Sequence, residues 1–184
     1  MSLVLDGTAG VTFPASQTPS MTAYQGSVLT SGTAVASTSG TSIDFTSIPS
    51  WVKRITVSFA SISTSATSNI QFQLGSGSPT TTGYISVVGL NSGSGVGSGN
   101  STTGFLLDIT TTAADIRTGV LVVSLLNSAT NLWAAQWNCV VSNNNRVANG
   151  AGQITLSGAL DRVRITTVNG TDTFDAGSIN ILYE

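Results

Sequence analysis

Short runs of alternating apolar and polar residues, broken by clusters of glycine, serine, threonine and asparagine, make up most of this chain. In residues 54–59, Ile55, Val57 and Phe59 fall on one side of an extended backbone. Ile70, Phe72 and Leu74 do the same in residues 69–74, and further strands are predicted over 84–90, 105–109, 153–156, 162–168 and 178–183. Residues 120–126 and much of 132–141 are apolar on both faces, as in a strand covered from both sides. The glycine-rich stretch 91–100 reads as an exposed loop. Helix formers are scarce, and one helical turn is predicted, over 112–117. Many strands at this spacing, with Gly- and Asn-bearing turns, predict an all-β fold, an antiparallel β-sandwich of jelly-roll-like type. No repeat of solenoid period is present.

The pattern changes near residue 42. Before it, residues 3–13 carry two apolar patches around a turn, and 15–42 is rich in Ser, Thr, Gly and Ala. Such a stretch cannot bury enough surface to order itself alone. The low-complexity stretch is either a flexible linker or an arm that orders against a partner, and the expected division is an extended N-terminal arm, 1–42, for attachment or oligomerisation, and a β-sandwich domain, 43–184. The arm's Val4, Val11 and Phe13 would be buried on a partner.

Composition narrows the chemistry. The 184 residues are 40% hydrophobic, enough for a core, while only 8% are charged, about a third of the usual quarter. Hydroxyl and amide groups take the place of Lys and Glu. The net charge of −2 and the scattered cations leave no basic footprint for nucleic acid. There is no histidine, which removes Ser-His-Asp and Cys-His catalysis and His-ligated zinc. Cys139 is the single cysteine and reads as a small buried apolar residue. Neither a secretory leader nor an apolar run long enough to span a membrane is evident. The expectation is a non-enzymatic protein without catalytic, cofactor or metal residues, made in a cytoplasm and not inserted in a membrane.

Candidate sites are few. Asp172 and Asp175 are the one close carboxylate pair, but Asn169, Gly170 and Thr171 beside them are turn formers, so turn chemistry is the preferred reading over calcium or catalysis. Gly93–Gly99 has Gly-x-Gly spacing without the strand-to-helix context of a phosphate loop. Trp133 and Trp137 share a face with Ala135, Cys139 and Val141 and read as core. Trp51 follows Pro49 and Ser50 at a strand entrance and reads as an edge cap. Tyr84, beside a threonine run, is the best candidate for an exposed, ligand-binding aromatic.

The segments 5–14, 32–57 and 160–181 resemble stretches that recur in bacteriophage tail-fibre and related virion proteins. These include the opening Leu5-Asp6-Gly7-Thr8 and the closing Val163-Arg164-Ile165-Thr166-Thr167-Val168-Asn169-Gly170. The resemblance covers under half the chain. It implies a β-rich virion appendage, frequently trimeric, with recognition loops at its distal end. Gly93–Gly99 and the loop holding Asn143, Asn144 and Arg146 would be those loops, giving Tyr84, Asn143, Asn144 and Arg146 as candidate ligand-binding residues. The functional expectation is a tail-fibre or receptor-binding subunit that recognises a bacterial surface polysaccharide and contacts other virion proteins through its arm. The alternative is a capsid decoration or head-fibre protein. A homo-oligomer, most simply a trimer, is expected from the two apolar faces of 120–126, since one sandwich covers only one of them.

Overall fold

In the computed structural model the described residues are 29–184 except Thr111, together with the backbone of two short strands in the arm. Those two, β1 (Val4–Asp6) and β2 (Gly10–Thr12), pair antiparallel, as the two apolar patches about a turn suggest. The arm's Phe13, and the side chains of Val4 and Val11, lie outside the described residues.

The rest is an all-β sandwich of two antiparallel sheets. The larger has nine strands. It contains β3 (Thr30–Ser31), β4 (Val35–Ala36), β6 (Arg54–Thr64), β9 (Ile85–Ser92), β10 (Gly95–Ser101), β12 (Arg117–Asn127), β13 (Leu132–Val141), β14 (Arg146–Thr155) and β16 (Phe174–Tyr183). The order across it is β10-β9-β14-β13-β12-β6-β16-β3, with β4 also on β16. The smaller has β5 (Ser42–Phe45), β7 (Ile70–Ser76), β8 (Ser78–Pro79), β11 (Phe105–Leu106) and β15 (Arg162–Thr167) in the order β11-β7-β15-β5, with β8 on β7.

The alternation read from the sequence sets the faces. Ile55, Val57 and Phe59 from β6 meet Ile70, Phe72 and Leu74 from β7 in one core, where the Phe59 and Phe72 rings lie 5.6 Å apart across the two sheets. Trp133 and Trp137 are buried in that core, as expected, and Cys139 with them. The Trp137 indole nitrogen donates to the Leu107 carbonyl at 3.2 Å, which fixes the ring. Trp51, by contrast, is half exposed and leans on Tyr183 at the end of β16.

Three expectations change. The glycine-rich stretch is no loop: β9 and β10 form a hairpin turning at Gly93 and Ser94, and the glycines alternate along β10 on its inner side. A β-carbon at Gly99 would collide with Ile109, so glycine lets the 107–110 segment pass beneath the strand. The helical turn expected at 112–117 is a tight turn closed by the Asp115 amide on the Thr112 carbonyl, and β12 begins at Arg117. The one helical turn among the described residues is a 3-10 turn at Ser142–Asn144. Finally, the end of the low-complexity stretch is ordered against the chain itself. Residues 30–36 extend the sheet beyond β16, and Ser37, fully buried, donates to the Ala176 carbonyl at 2.8 Å.

Candidate functional site

A polar concavity lies on the outer face of the smaller sheet. Inward alternation of Ile70, Phe72 and Leu74 forces Gln71 and Gln73 outward on β7. Register then places Gln71 beside Thr166 of β15, which pairs with Ser42 of β5, and Gln73 beside Arg164, which pairs with Asp44. Thr81 and Thr103 on one side, and Thr41, Asn169 and Gly170 on the other, raise walls around this grid. The groove has a volume of about 310 Å³, at the small end for ligand sites.

Its side chains are held in place. Although they face outward, Gln71 and Gln73 are only 3% and 5% exposed, because the 101–104 segment lies over them. The Gln73 amide nitrogen donates to the Thr103 carbonyl at 2.9 Å, and the Thr103 hydroxyl donates to Gln71 Oε1 at 2.9 Å. Thr166 donates to the Thr41 carbonyl at 2.8 Å. Arg164 forks onto Asp44 at 2.7 and 3.0 Å, and that hydrogen bond raises the guanidinium pKa above its ordinary value. Among the described residues, nothing else bonds the Gln71 amide nitrogen or the Gln73 amide oxygen. One donor and one acceptor are thus oriented toward the groove with their ordering entropy already spent.

A second hollow of about 270 Å³, lined by Thr67, Ser68, Asn69, Asn100 and Ser101, shares the Val168 wall. There the amide oxygen of Asn69 is buried without a partner. Apart from Val168 in both and Leu106 in the second, the hollows are lined by hydrogen-bonding residues, and the one charged residue in either lining is Arg164, which is paired with Asp44. Chemically, this surface can bind a hydroxyl- or amide-rich ligand. Nothing in it resembles an activated nucleophile.

The residues singled out from the sequence lie elsewhere. Tyr84 is corrected: it is buried rather than exposed, its ring edge-on to Phe105 at 5.0 Å and its hydroxyl donating to the Leu74 carbonyl at 3.2 Å. Burial pushes its phenol pKa up. Asn143, Asn144 and Arg146 do come together, at the far end of β9, about 27 Å from Tyr84 by strand rise. Their polar groups are turned to the chain. Asn143 donates to the Ala114 carbonyl at 2.7 Å and accepts from the Ile116 amide at 3.0 Å, Asn144 donates to Asp115, and Arg146 lies 3.9 Å from Asp115.

Beneath them is a buried ion cluster. Arg117, 2% exposed at its side chain, donates from Nε to Asp108 at 2.6 Å and lies 3.8 Å from Asp115, both carboxylates being fully buried. Thr110 joins it, accepting from Arg117 at 2.7 Å and donating to Asp108 at 2.8 Å. Near the same end of β6, where Ile62 pairs with Arg117, Asp175 accepts from the Ser63 hydroxyl, and Asp172 accepts from the Ser68 amide at 2.8 Å. Asn169 Oδ1 accepts from the Thr171 amide at 3.0 Å. The pair is turn and sheet chemistry, as its neighbours indicated.

Sequence reasoning missed Gln71, Gln73, Thr103 and Thr166. The strand pattern put both glutamines on the outer side of β7, but nothing local signalled that a later segment would roof them. No protein-family model, curated protein or solved structure matches the chain.

Proposed function

We propose that this chain is a structural protein of a bacteriophage particle, an appendage subunit that binds a bacterial surface polysaccharide through the groove on the smaller sheet. The observation that carries the reading is the groove's lining: fixed amides and hydroxyls, one forked Arg–Asp pair, and a second polar hollow sharing the Val168 wall. A polysaccharide offers hydroxyl donors and acceptors along its length, and two adjoining hollows suit consecutive sugar units. With no exposed aromatic in either lining, ring stacking contributes nothing and hydrogen bonds carry recognition. Each neutral bond contributes about 0.5–1.5 kcal/mol, so a single groove binds weakly and several copies on one particle supply avidity. The stretch before residue 30 serves as the attachment arm to other virion proteins, since residues 30–37 are docked on the sandwich itself.

The test is calorimetry or array binding of the full chain against a panel of purified bacterial surface polysaccharides, alongside Gln73→Ala and Thr166→Val. The expected result is weak binding, reduced roughly 3- to 10-fold by each substitution. No binding of the unsubstituted chain to any polysaccharide, or equal binding by all three forms, would refute it. Gold-labelled antibody on intact particles separates this reading from its alternative, since a decoration or head-fibre protein would label the head.

A further inference from the structure

The outer face of the nine-stranded sheet carries no charge across most of its width. All five arginines are ion-paired elsewhere: Arg162 and Arg164 on the smaller sheet, Arg117 and Arg146 with the buried cluster, and Arg54 with Glu184 at the sheet's margin. Past Arg54, from β6 to β10 the outward positions hold Val, Ala, Gln, Asn, Ser and Thr, with Ile85, Gly89, Leu126 and Leu132. Register lines up Val122, Gln136, Ala151 and Val87 across four neighbouring strands, and sets Val140 directly opposite Val147. Val87, Val140 and Val147 are 54%, 40% and 50% exposed. On the side of the Val122–Gln136 row away from Val140, a hollow of about 260 Å³ opens at Val122, Ser124, Ala134 and Gln136.

We infer that this face is a self-association surface, covered by a second copy of the same chain. Charge decides the occupant. A partner bearing Lys or Glu would bury those charges against a face with nothing to pair them, a strongly unfavourable step. A second copy presents the same neutral amides and valines, so amide meets amide and apolar meets apolar with no ion desolvated. Area agrees. Five strand spacings of about 4.8 Å by four two-residue steps of about 6.8 Å enclose on the order of 650 Å², and stable complexes bury roughly 600–1,000 Å² per partner. The ridges and the hollow also give the face relief, so that packing fixes one orientation.

This surface lies on the opposite side of the sandwich from the polysaccharide groove, and the inference stands or falls independently of that reading. The test is light scattering of the full-length protein at micromolar concentration, with Val87→Arg and Gln136→Arg, and Ser157→Arg as a control in the loop after β14. The expected mass is a multiple of 18.7 kDa, three chains if the sheets surround a threefold axis and two if they pack face to face. Either face substitution should return it to one chain with an unchanged circular dichroism spectrum, while the control should not. Gln136 is already exposed, so its substitution keeps the test open should Val87→Arg fail to fold. A single-chain mass for the unsubstituted protein overturns the inference. So does an oligomer that survives a folded face variant.

Discussion

The indole of Trp137 occupies the space that a β-carbon at Gly150 would need, across the β13–β14 pair in which these two residues stand directly opposite. The tryptophan is 2% exposed and touches Phe105 at 5.9 Å on its other side. Neither neighbour can give way, so the glycine is a packing requirement. Gly150→Ala should destabilise the fold by about 1–3 kcal/mol, the usual cost of overpacking. Combining it with Trp137→Leu should be less than additive, because the smaller side chain vacates the contested volume. Strict additivity in a urea-denaturation cycle would show that the two do not interact.

Cys139 gives a second expectation. Burial pushes its thiol pKa up from 9.0 to about 12, with the Asp108 charge adding to the effect. The native thiol therefore stays protonated at pH 8 and should react with an aromatic disulfide reagent only as fast as the chain unfolds. The pH dependence has a definite sign. A folded-state pKa raised above the unfolded one gives a contribution that is whole below pH 9 and is lost as pH rises toward 12. Immediate stoichiometric reaction at pH 8 in native buffer would contradict the buried placement.

How much of this was legible beforehand follows from which forces are local. Alternation is local, so Ile55, Val57 and Phe59, and the paired tryptophans of β13, announced their faces from sequence. The alternation in Gly95–Ser101 was equally present, but glycine has no side chain to report it. Ile109, packing beneath Gly97 and Gly99, supplied the reason only once the fold brought it there. The polar sites depended on long-range juxtaposition. Arg117 and Asp108 are nine residues apart with a turn between them, and Gln71 meets Thr103 across 32 residues. Tyr84 failed for a related reason: its threonine-rich flank suggested solvent, whereas Leu74 on another strand offered its hydroxyl a partner.

Asp172 is expected to act through the backbone and not through a metal. Its carboxylate accepts from the Ser68 amide at 2.8 Å and from the Asn169 side chain at 2.5 Å. Asp172→Ala leaves that amide without its acceptor and should cost about 1–3 kcal/mol. EDTA should leave the melting temperature of the unsubstituted protein where it is. A fall of several degrees in EDTA, restored by calcium, would mean that the Asp172–Asp175 region holds an ion.

The largest single-site effect is expected at Arg117. Its guanidinium is enclosed with Asp108 and Asp115, whose carboxylates are fully buried, and one oxygen of each already lacks a hydrogen-bond partner. Arg117→Met keeps the apolar volume of the side chain but leaves two buried negative charges opposed only by Arg146, which is 3.9 Å from Asp115 and partly in solvent. Breaking a buried pair from one side costs about 3–5 kcal/mol, because the remaining charge keeps its desolvation penalty. The loss should also be seen in space. Arg117 donates to the Asp115 carbonyl at 2.9 Å, and Asn143 and Asn144 hold the same segment, so amide exchange should quicken at 112–116 and 142–146 before it does in β6. Removing the charges together, as Arg117→Met with Asp108→Asn and Asp115→Asn, should recover part of the stability, since neutral amides are cheaper to bury than unpaired carboxylates. If Arg117→Met alone costs less than about 1 kcal/mol, the ordinary size of a surface pair, the cluster is not the closed ionic core that its geometry describes.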